Sequence, residues 1–430
     1  MKTPLQGLPL TAGTGGSTVI QECQVCQNPN LEPIIFLGYL PPVNKLWPLG
    51  TAPHEQPSYP SLLLNCQRCQ LVQLGLVVDP QILFPVEYPY TSGTTKVLRD
   101  NFADLSQECR RLIPLSPQDL IVDIGSNDGT LLSNFKSYLR VQGITPERIG
   151  NLARDKGIPT VTSYFNKEAV ETVLNEQGQA KIITATNVFA HMENIHEVTE
   201  NILELLQKDG VFISESHYLM DLMKTLQYDT IYHEHLRYYS LHSLKFLLEM
   251  HDLEIFHVKK IPSHGGSIRV YAARHGQYAV KSSTQEMLAA EQKLFKEEAL
   301  KEFKKRCVLS KLKLHQLLLD IKAGGKKIVG IGAPSRASTL INYVGLDDGI
   351  LDSVLEIKGS YKIGHYIPGT LIPIVEEAKL YIDQPDYAIL LSWHIAEELA
   401  PKLKAKGFRG NFIIPLPEPR ILAGSLDEYP

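Results

Sequence analysis

The chain predicts an α/β protein with two Rossmann-like units behind a small cysteine-held module. Three observations carry that prediction. Strand and helix patterns alternate over 119–272 and again over 327–414, as parallel sheets with crossover helices require. Each run opens with an apolar strand leading into a glycine turn, Ile121-Val-Asp-Ile-Gly125 and Lys327-Ile-Val-Gly-Ile-Gly332. Ahead of both, Cys23-x-x-Cys26 and Cys66-x-x-Cys69 set four thiols in two short-spaced pairs.

A length of 430 residues accommodates two or three domains, and 43% hydrophobic with 21% charged residues is a folded composition. A net charge of −4 leaves no electrostatic footprint for nucleic acid. No secretory leader and no bilayer-length apolar run is present, so a cytoplasmic monomer without a membrane partner is expected. Six cysteines are too few for a disulfide scaffold in a chain this long and point to a reducing compartment.

Residues 1–19, rich in Gly, Thr and Pro, read as a loose leader. Over 20–79, Pro and Gly clusters separate short apolar runs around the Cys pairs. Four thiolates in two tight turns are what tetrahedral zinc needs. A closed all-Cys site has no open coordination position, so this zinc is structural, and a 39-residue gap between the pairs is tolerated as a long loop. Cys109 and Cys307 fall in helical patterns and read as core.

The span 80–280 is the first αβ domain. A connector with Tyr88-x-Tyr90-x-Ser92 leads into a helical stretch at 96–112. Strands follow at 121–124, 141–144, 182–185, 210–214 and 268–273, with a helical run at 131–139. A charged helix with Leu314, Leu317, Leu318 and Ile321 at helical spacing links the domains over 281–323, and Gly324-Gly325 stops it. The second Rossmann-like domain fills 324–430, with strands at 354–357, 388–391 and 411–414.

In the first glycine turn, Gly125 and Gly129 stand four apart, so the phosphate fingerprint G-x-G-x-x-G is absent. No Lys-Ser or Lys-Thr follows, which excludes a P-loop. Asp123, Asn127 and Asp128 around the turn suit a cationic, amine-bearing ligand such as S-adenosylmethionine. An ordinary βα turn is the plain alternative.

Tyr232-His-Glu-His235-Leu-Arg-Tyr-Tyr239 is dense in acid–base side chains. On a helix, Tyr232, His235 and Tyr239 share one face. Histidine is the natural general base near neutral pH, a neighbouring Glu orients or charge-balances it, and a tyrosine hydroxyl donates to a developing oxyanion; metal binding by His and Glu is an alternative. A Tyr/His-rich seam between domains is the competing reading, and the His-Glu-x-x-His pattern of zinc proteases is absent. Asn187 and His191 follow the strand at 182–185, and Glu215 and Tyr218 follow the strand at 210–214, at the sheet edge where αβ sites form. In His264-Gly265-Gly266-Ser267-Ile-Arg269, backbone N–H groups and Arg269 suit a phosphate, although a hairpin explains the glycines equally well.

In this order the motifs resemble the nucleotide-sugar C-methyltransferase family of deoxysugar and antibiotic-sugar pathways, over about 20–420. The likeness is carried by the Cys pairs, Tyr88-x-Tyr90-x-Ser92, Asp123-x-Gly-Ser-Asn-Asp-Gly129, Asn187-Val-Phe-Ala-His191, Tyr232-His-Glu-His235, His264-Gly-Gly-Ser267, Gly330-Ile-Gly-Ala-Pro334, and Pro368-Gly-Thr with Ile372-Pro-Ile374. It implies a zinc module, a class I methyltransferase domain, and a C-terminal Rossmann-like domain that uses no dinucleotide of its own. It also implies methyl transfer from S-adenosylmethionine to a ring carbon of a nucleotide-linked keto-sugar. His235 is then the base, with Tyr232, Glu234 and His191 around the reacting sugar. Asp123, Gly125, Ser126, Asn127, Asp128, Gly129, Thr145 and Asn187 are expected on the cofactor. Tyr88, Tyr90, Ser92 and the 264–269 turn are expected on the substrate, with Ser335, Arg336 and Tyr361 at its nucleotide end.

Three positions depart from the family pattern. Thr145 stands where an acid usually takes the cofactor's ribose, with Glu147 two residues on as a substitute. Ser335-Arg-Ala replaces Ala-Lys-Gly, and Trp393-His394 replaces Trp-Asn. Two other functions remain open. One is an NAD-dependent sugar dehydrogenase or epimerase on the Gly330-Ile-Gly turn, which lacks the third glycine. The other is a non-catalytic nucleotide-sugar-binding relic decayed at Thr145, which would not bind S-adenosylhomocysteine.

Overall fold

The computed structural model describes residues 16–84, 93, 95–146, 148–294 and 297–422. Its central sheet has seven strands in the order Leu253–Ile261, Ser267–Arg274, Leu206–His217, Ala180–Thr186, Leu120–Ile124, Arg140–Ile144 and Thr160–Val161. The five strands from Leu206–His217 to Thr160–Val161 are parallel. Ser267–Arg274 runs antiparallel to both its neighbours. All five residues of Leu120–Ile124 are buried, which is why a continuous apolar run, and not an alternating one, marks it in the sequence. The chain winds one way from this strand and then the other, opening a crevice at its carboxyl end.

Three local expectations change. The helix begun at Thr130 ends at Ser133. Asn134 donates its side-chain amide to the carbonyls of Thr130 and Leu131, and Ser133 bonds back to Gly129, so side chains compete with the helical ladder. The strand expected at 210–214 runs on to His217, and the antiparallel Leu253–Ile261 joins it in the sheet. The linker is two helices, Ser282–Leu294 and Glu297–Ala323, with Leu314, Leu318 and Ile321 buried.

The expected helix over 232–239 does not form. Arg237–Tyr238 is instead the edge strand of the N-terminal sheet, whose order is Arg237–Tyr238, Val72–Leu74, Tyr59–Cys66, Leu31–Leu40. Leu74 N donates to Leu236 O at 3.0 Å, so the segment's backbone groups are satisfied by the module and not four residues away. Tertiary pairing here overrides the helical spacing of Tyr232, His235 and Tyr239.

The C-terminal sheet runs Ile374–Glu376, Val354–Glu356, Ile328–Ile331, Tyr387–Leu390, Asn411–Ile414, Arg420–Leu422, parallel except for the last strand. Trp47–Pro48 pairs with His365–Tyr366, stitching this unit to the cysteine module. Thr18–Val19 pairs with Leu76–Val77. Cys109 and Cys307 are buried core thiols. Among the described residues, no helix is long and apolar enough to cross a membrane.

Arg269 is a correction to the phosphate expectation. It is fully buried, pairs with Glu215, and donates to Glu108 at 2.8 Å, Asp104 at 2.9 Å and Asn101 Oδ1 at 2.8 Å. These partners tie the helix Lys96–Leu112 to the sheet, and every guanidinium nitrogen is engaged within the protein. Arg269→Met leaves the buried Glu215 without its counter-charge and takes the nearest one from Glu108, so it is expected to destabilise the fold by about 3–5 kcal/mol. A urea midpoint within experimental error of the parent would contradict this structural role.

Candidate active site

A cavity of about 740 Å³ lies at the carboxyl ends of the parallel strands and is walled by all three units. Gly125, Asn127, Thr145 and Asn187 line one side; His191, Tyr232, Glu234, His235 and His264 line another; Ser335, Arg336, Lys362 and His394 close it from the C-terminal unit. Val77, Val78 and Phe84 contribute the module's apolar share.

Backbone strain gathers on this wall. Gly125 has φ 72°, and a Cβ there would stand 3.0 Å from Val188 Cγ2. Asn127, Asn187 and His264 adopt φ of 50°, 57° and 56°, a left-handed conformation uncommon outside glycine and typical of ligand-holding positions. Asp123, Ser126, Asp128 and Gly129, expected on the cofactor, stand behind the wall. Asp123 accepts the Thr184 hydroxyl at 2.6 Å, and burial pushes its carboxyl up to about 7. Asp128 accepts from Thr130 N at 3.2 Å and Lys156 Nζ at 3.3 Å. At Gly129 a Cβ would meet Ile158 and Ala153, so its role is close packing. On the cavity wall, buried oxygens of Asn187 and Ser216 have no protein partner among the described residues, and such groups call for a polar ligand. A tight glycine turn, orphan acceptors and a cavity within the roughly 300–1,000 Å³ of ligand pockets fit an adenosine-bearing amino acid.

Across the cavity, four imidazoles crowd together. Ring centroids are 4.9 Å apart for His191 and His235, 5.1 Å for His217 and His235, and 5.4 Å for His217 and His264. Burial holds every one below the ordinary histidine range, His191 and His264 at about 4, with neighbouring imidazoles and arginines acting the same way. His235 Nδ1 lies 2.8 Å from Thr230 O. A carbonyl only accepts, so Nδ1 carries the proton and Nε2 holds the lone pair. The Tyr232 ring packs 4.1 Å from that of His235, and burial with the Glu234 charge keeps its phenol protonated. Glu234 Oε1 accepts from Asn44 Nδ2 at 2.8 Å, and Asn44 Oδ1 accepts the Ser335 hydroxyl at 3.1 Å.

The other expected substrate contacts divide. His264 reaches the cavity, while Gly265, Gly266 and Ser267 shape its turn. Gly265 O accepts from Gln227 at 2.7 Å, a Cβ on Gly266 would strike Asp221, and Ser267 donates to Ser263 O. Arg336 lies on the wall but is already held by both Asp229 oxygens at 2.8 Å and by His394 Nδ1 at 3.1 Å. Tyr361 is 42% exposed and off the wall, where its neighbour Lys362 stands instead. Tyr88, Tyr90, Ser92 and Glu147 lie outside the described residues. Glu215 pairs with Arg269 and Tyr218 faces away, because the strand ends at His217. His217 was legible as a strand-end residue once that length is known. Asn44 and Lys362 sit in loops with no motif to mark them.

In the second glycine turn, Ala333 N donates to Glu356 Oε2 at 2.6 Å. A backbone N–H of this turn is thus already taken by a carboxylate of the protein. In the module, Cys23, Cys26, Cys66 and Cys69 are buried with all four sulfurs within 4.8 Å of one another. Cys23 faces Cys69 and Cys26 faces Cys66, each at 3.4 Å, a donor set that fits tetrahedral zinc.

These features define a methyltransferase of the class I Rossmann-like fold with a zinc module at its N-terminal side. Three family models match in order: "Putative zinc binding domain" at 23–84, "Methyltransferase domain" at 95–258 and "C-methyltransferase C-terminal domain" at 262–417. The C-methyltransferase NovU of Streptomyces niveus is 33% identical over 412 residues, covering 94% of this chain and 97% of that protein. The chain belongs to the C-methyltransferase family. Its methyl donor is S-adenosylmethionine and its metal is zinc. Solved structures with some likeness include magnesium protoporphyrin IX methyltransferase from Synechocystis with bound S-adenosylhomocysteine, at 12% identity and TM-score 0.33 over 41% of this chain and 83% of that one. An S-adenosylmethionine-dependent methyltransferase from Anabaena variabilis matches at 15% identity and TM-score 0.33, over 42% and 86%.

Each buried imidazole has a folded-state pKa below its unfolded value. The stability it contributes is present above pH ~6.5 and lost as pH falls towards ~4, while Asp123, raised in the fold, acts oppositely over the same window. His264→Asn, which tolerates the left-handed backbone, is therefore expected to lose less melting temperature between pH 7 and 4.5 than the parent does. Parallel curves would contradict the assignment of a neutral His264.

Proposed function

We propose that this enzyme methylates a ring carbon of a nucleotide-linked keto-deoxysugar, with His235 as the base. One observation carries the reading: the cofactor wall at Gly125 and Asn187 and the imidazole of His235 line the same cavity. A sugar C–H carbon becomes nucleophilic only when a neighbouring ketone takes the charge as an enolate. The residues around His235 suit that chemistry. A neutral imidazole with Nε2 unprotonated accepts the proton. The protonated phenol of Tyr232 and a neutral His191 donate to the enolate oxygen. Glu234, tethered through Asn44, orients the sugar, and Ser335, Arg336 and Lys362 face the nucleotide end. S-adenosylmethionine, held at the wall of Gly125, Asn127 and Asn187, would supply an electrophilic methyl group. Cys23, Cys26, Cys66 and Cys69 would fill a tetrahedral zinc shell between them, which is a structural donor set.

His235→Ala is expected to bind S-adenosylhomocysteine as the parent does but to lose about 10²–10⁴-fold in turnover of a nucleoside-diphosphate keto-deoxysugar. It should also lose α-proton exchange into deuterated water. Full turnover with full exchange would remove His235 from the role of base. At Thr145, a single hydroxyl replaces the two acceptors of a carboxylate, so Thr145→Asp is expected to tighten S-adenosylhomocysteine binding about tenfold by calorimetry. Unchanged or weaker binding would show that the ribose is held elsewhere.

A further inference from the structure

We propose that the zinc module is the template on which the acid–base site is assembled, and that Arg237 is the positioning residue that makes the connection. The cysteine module is not a remote appendage. Its strand Val72–Leu74 pairs with Arg237–Tyr238, in the register Arg237 to Gln73 and Tyr238 to Val72. The residue before that strand, Leu236, donates its N–H to Ala190 O at 3.0 Å and accepts from Leu74 N at 3.0 Å. His235 and His191 are the neighbours of Leu236 and Ala190. The module's backbone therefore sets the height of one imidazole, and one further hydrogen bond sets the other against it.

Arg237 completes the arrangement. Its side chain is 1% exposed, and its guanidinium donates to Met192 O at 2.6 Å and to Glu193 O at 2.5 Å. These carbonyls follow His191 directly, so the arginine clamps the loop that carries the second imidazole. A buried cation bonded only to carbonyls needs a counter-charge nearby. Burial pushes the Arg237 guanidinium below its ordinary range, and the nearby Tyr239, Cys23 and Glu193 work against that push. Four thiolates around one Zn²⁺ carry a net charge of −2, so the loaded centre is the natural partner of this cation. Gln73, opposite Arg237, closes the circuit. Its Oε1 accepts from Gln24 N at 3.0 Å, between Cys23 and Cys26, and its Nε2 donates to Glu22 O at 3.3 Å. A second anchor runs from His196 Nε2 to Val25 O at 2.7 Å, in the same cysteine turn. Zinc closes that turn, the turn holds Gln73, and the strand opposite Gln73 holds Arg237 and His235.

Full-length, zinc-loaded protein tests this through hydrogen exchange, zinc stoichiometry and S-adenosylhomocysteine calorimetry on Arg237→Gln and Arg237→Lys. Gln is too short to reach both carbonyls and uncharged. It is expected to keep its zinc and its S-adenosylhomocysteine affinity within threefold, while amides at 188–194 and 230–238 exchange at least tenfold faster and those at 120–124 and 140–144 do not change. Lys, which keeps the charge, is expected to restore most of the protection. Chelating zinc from the parent protein should loosen the same two segments. Unchanged exchange there in Arg237→Gln overturns the proposal. If that variant does not fold, the chelated parent decides: loosening spread evenly over the whole sheet, or none at 230–238, overturns it. Normal protection changes with no turnover of any nucleotide keto-sugar would count against the proposed substrate and leave this inference standing.

Discussion

The hydrogen bond from His235 Nδ1 to the Thr230 carbonyl determines which nitrogen of that ring can take a proton. It has force only because the imidazole stays neutral, and neutrality comes from depth. His235 is buried, flanked by His191 and His217, and close to the Arg336 cation. Charging any one imidazole in such a place would put a cation among dipoles already oriented for a neutral ring. An imidazole of this kind is neutral at neutral pH, at the expense of basicity. The His191 imidazole and the Tyr232 phenol beside it are held neutral by the same burial.

That arrangement needs three units to meet. The seven-stranded sheet supplies the glycine-turn wall and His191, the cysteine module supplies the strand that holds the 235–238 segment, and the C-terminal unit closes the far side. Asn44 shows how closely they are joined: it links Glu234 to Ser335, one residue from each of the other two units. Arg336 does the same from the C-terminal side, bound to Asp229 with Trp393 donating to the same carboxylate at 2.7 Å. An arginine fully engaged in this way builds the wall, and its contact with a ligand is secondary. Lys362, with one hydrogen bond to Ala333 O at 2.6 Å, is the more accessible cation on that side.

Much of the site was legible as residue types and little of it as geometry. Gly125, Asn187, His191, Tyr232, Glu234, His235 and His264 follow strand ends or stand in dense motifs, and they share the cavity. Arg269 reads equally well as a phosphate ligand from its glycine-rich context, yet three acids on a separate helix and strand claim it. Nothing adjacent in sequence announces Asp104, Glu108 or Glu215 as its partners. Asn44 and Lys362 escape for the converse reason: each lies in an irregular loop whose position depends on a distant sheet.

By itself the sequence determined the alternation of strands and helices, the two glycine turns, the four-thiol metal site and the dense run of acid–base side chains at 232–239. These are properties of local periodicity, turn chemistry and side-chain type, which a linear pattern carries. The tertiary structure alone decided that the 232–239 segment is extended and not helical. Its backbone partners come from a strand some 160 residues earlier, and pairing with Val72–Leu74 outweighs the helical spacing of its aromatic residues. It also decided that the imidazoles are neutral, because their protonation depends on burial and on neighbours brought in from separate strands, turns and helices, and no local sequence encodes either.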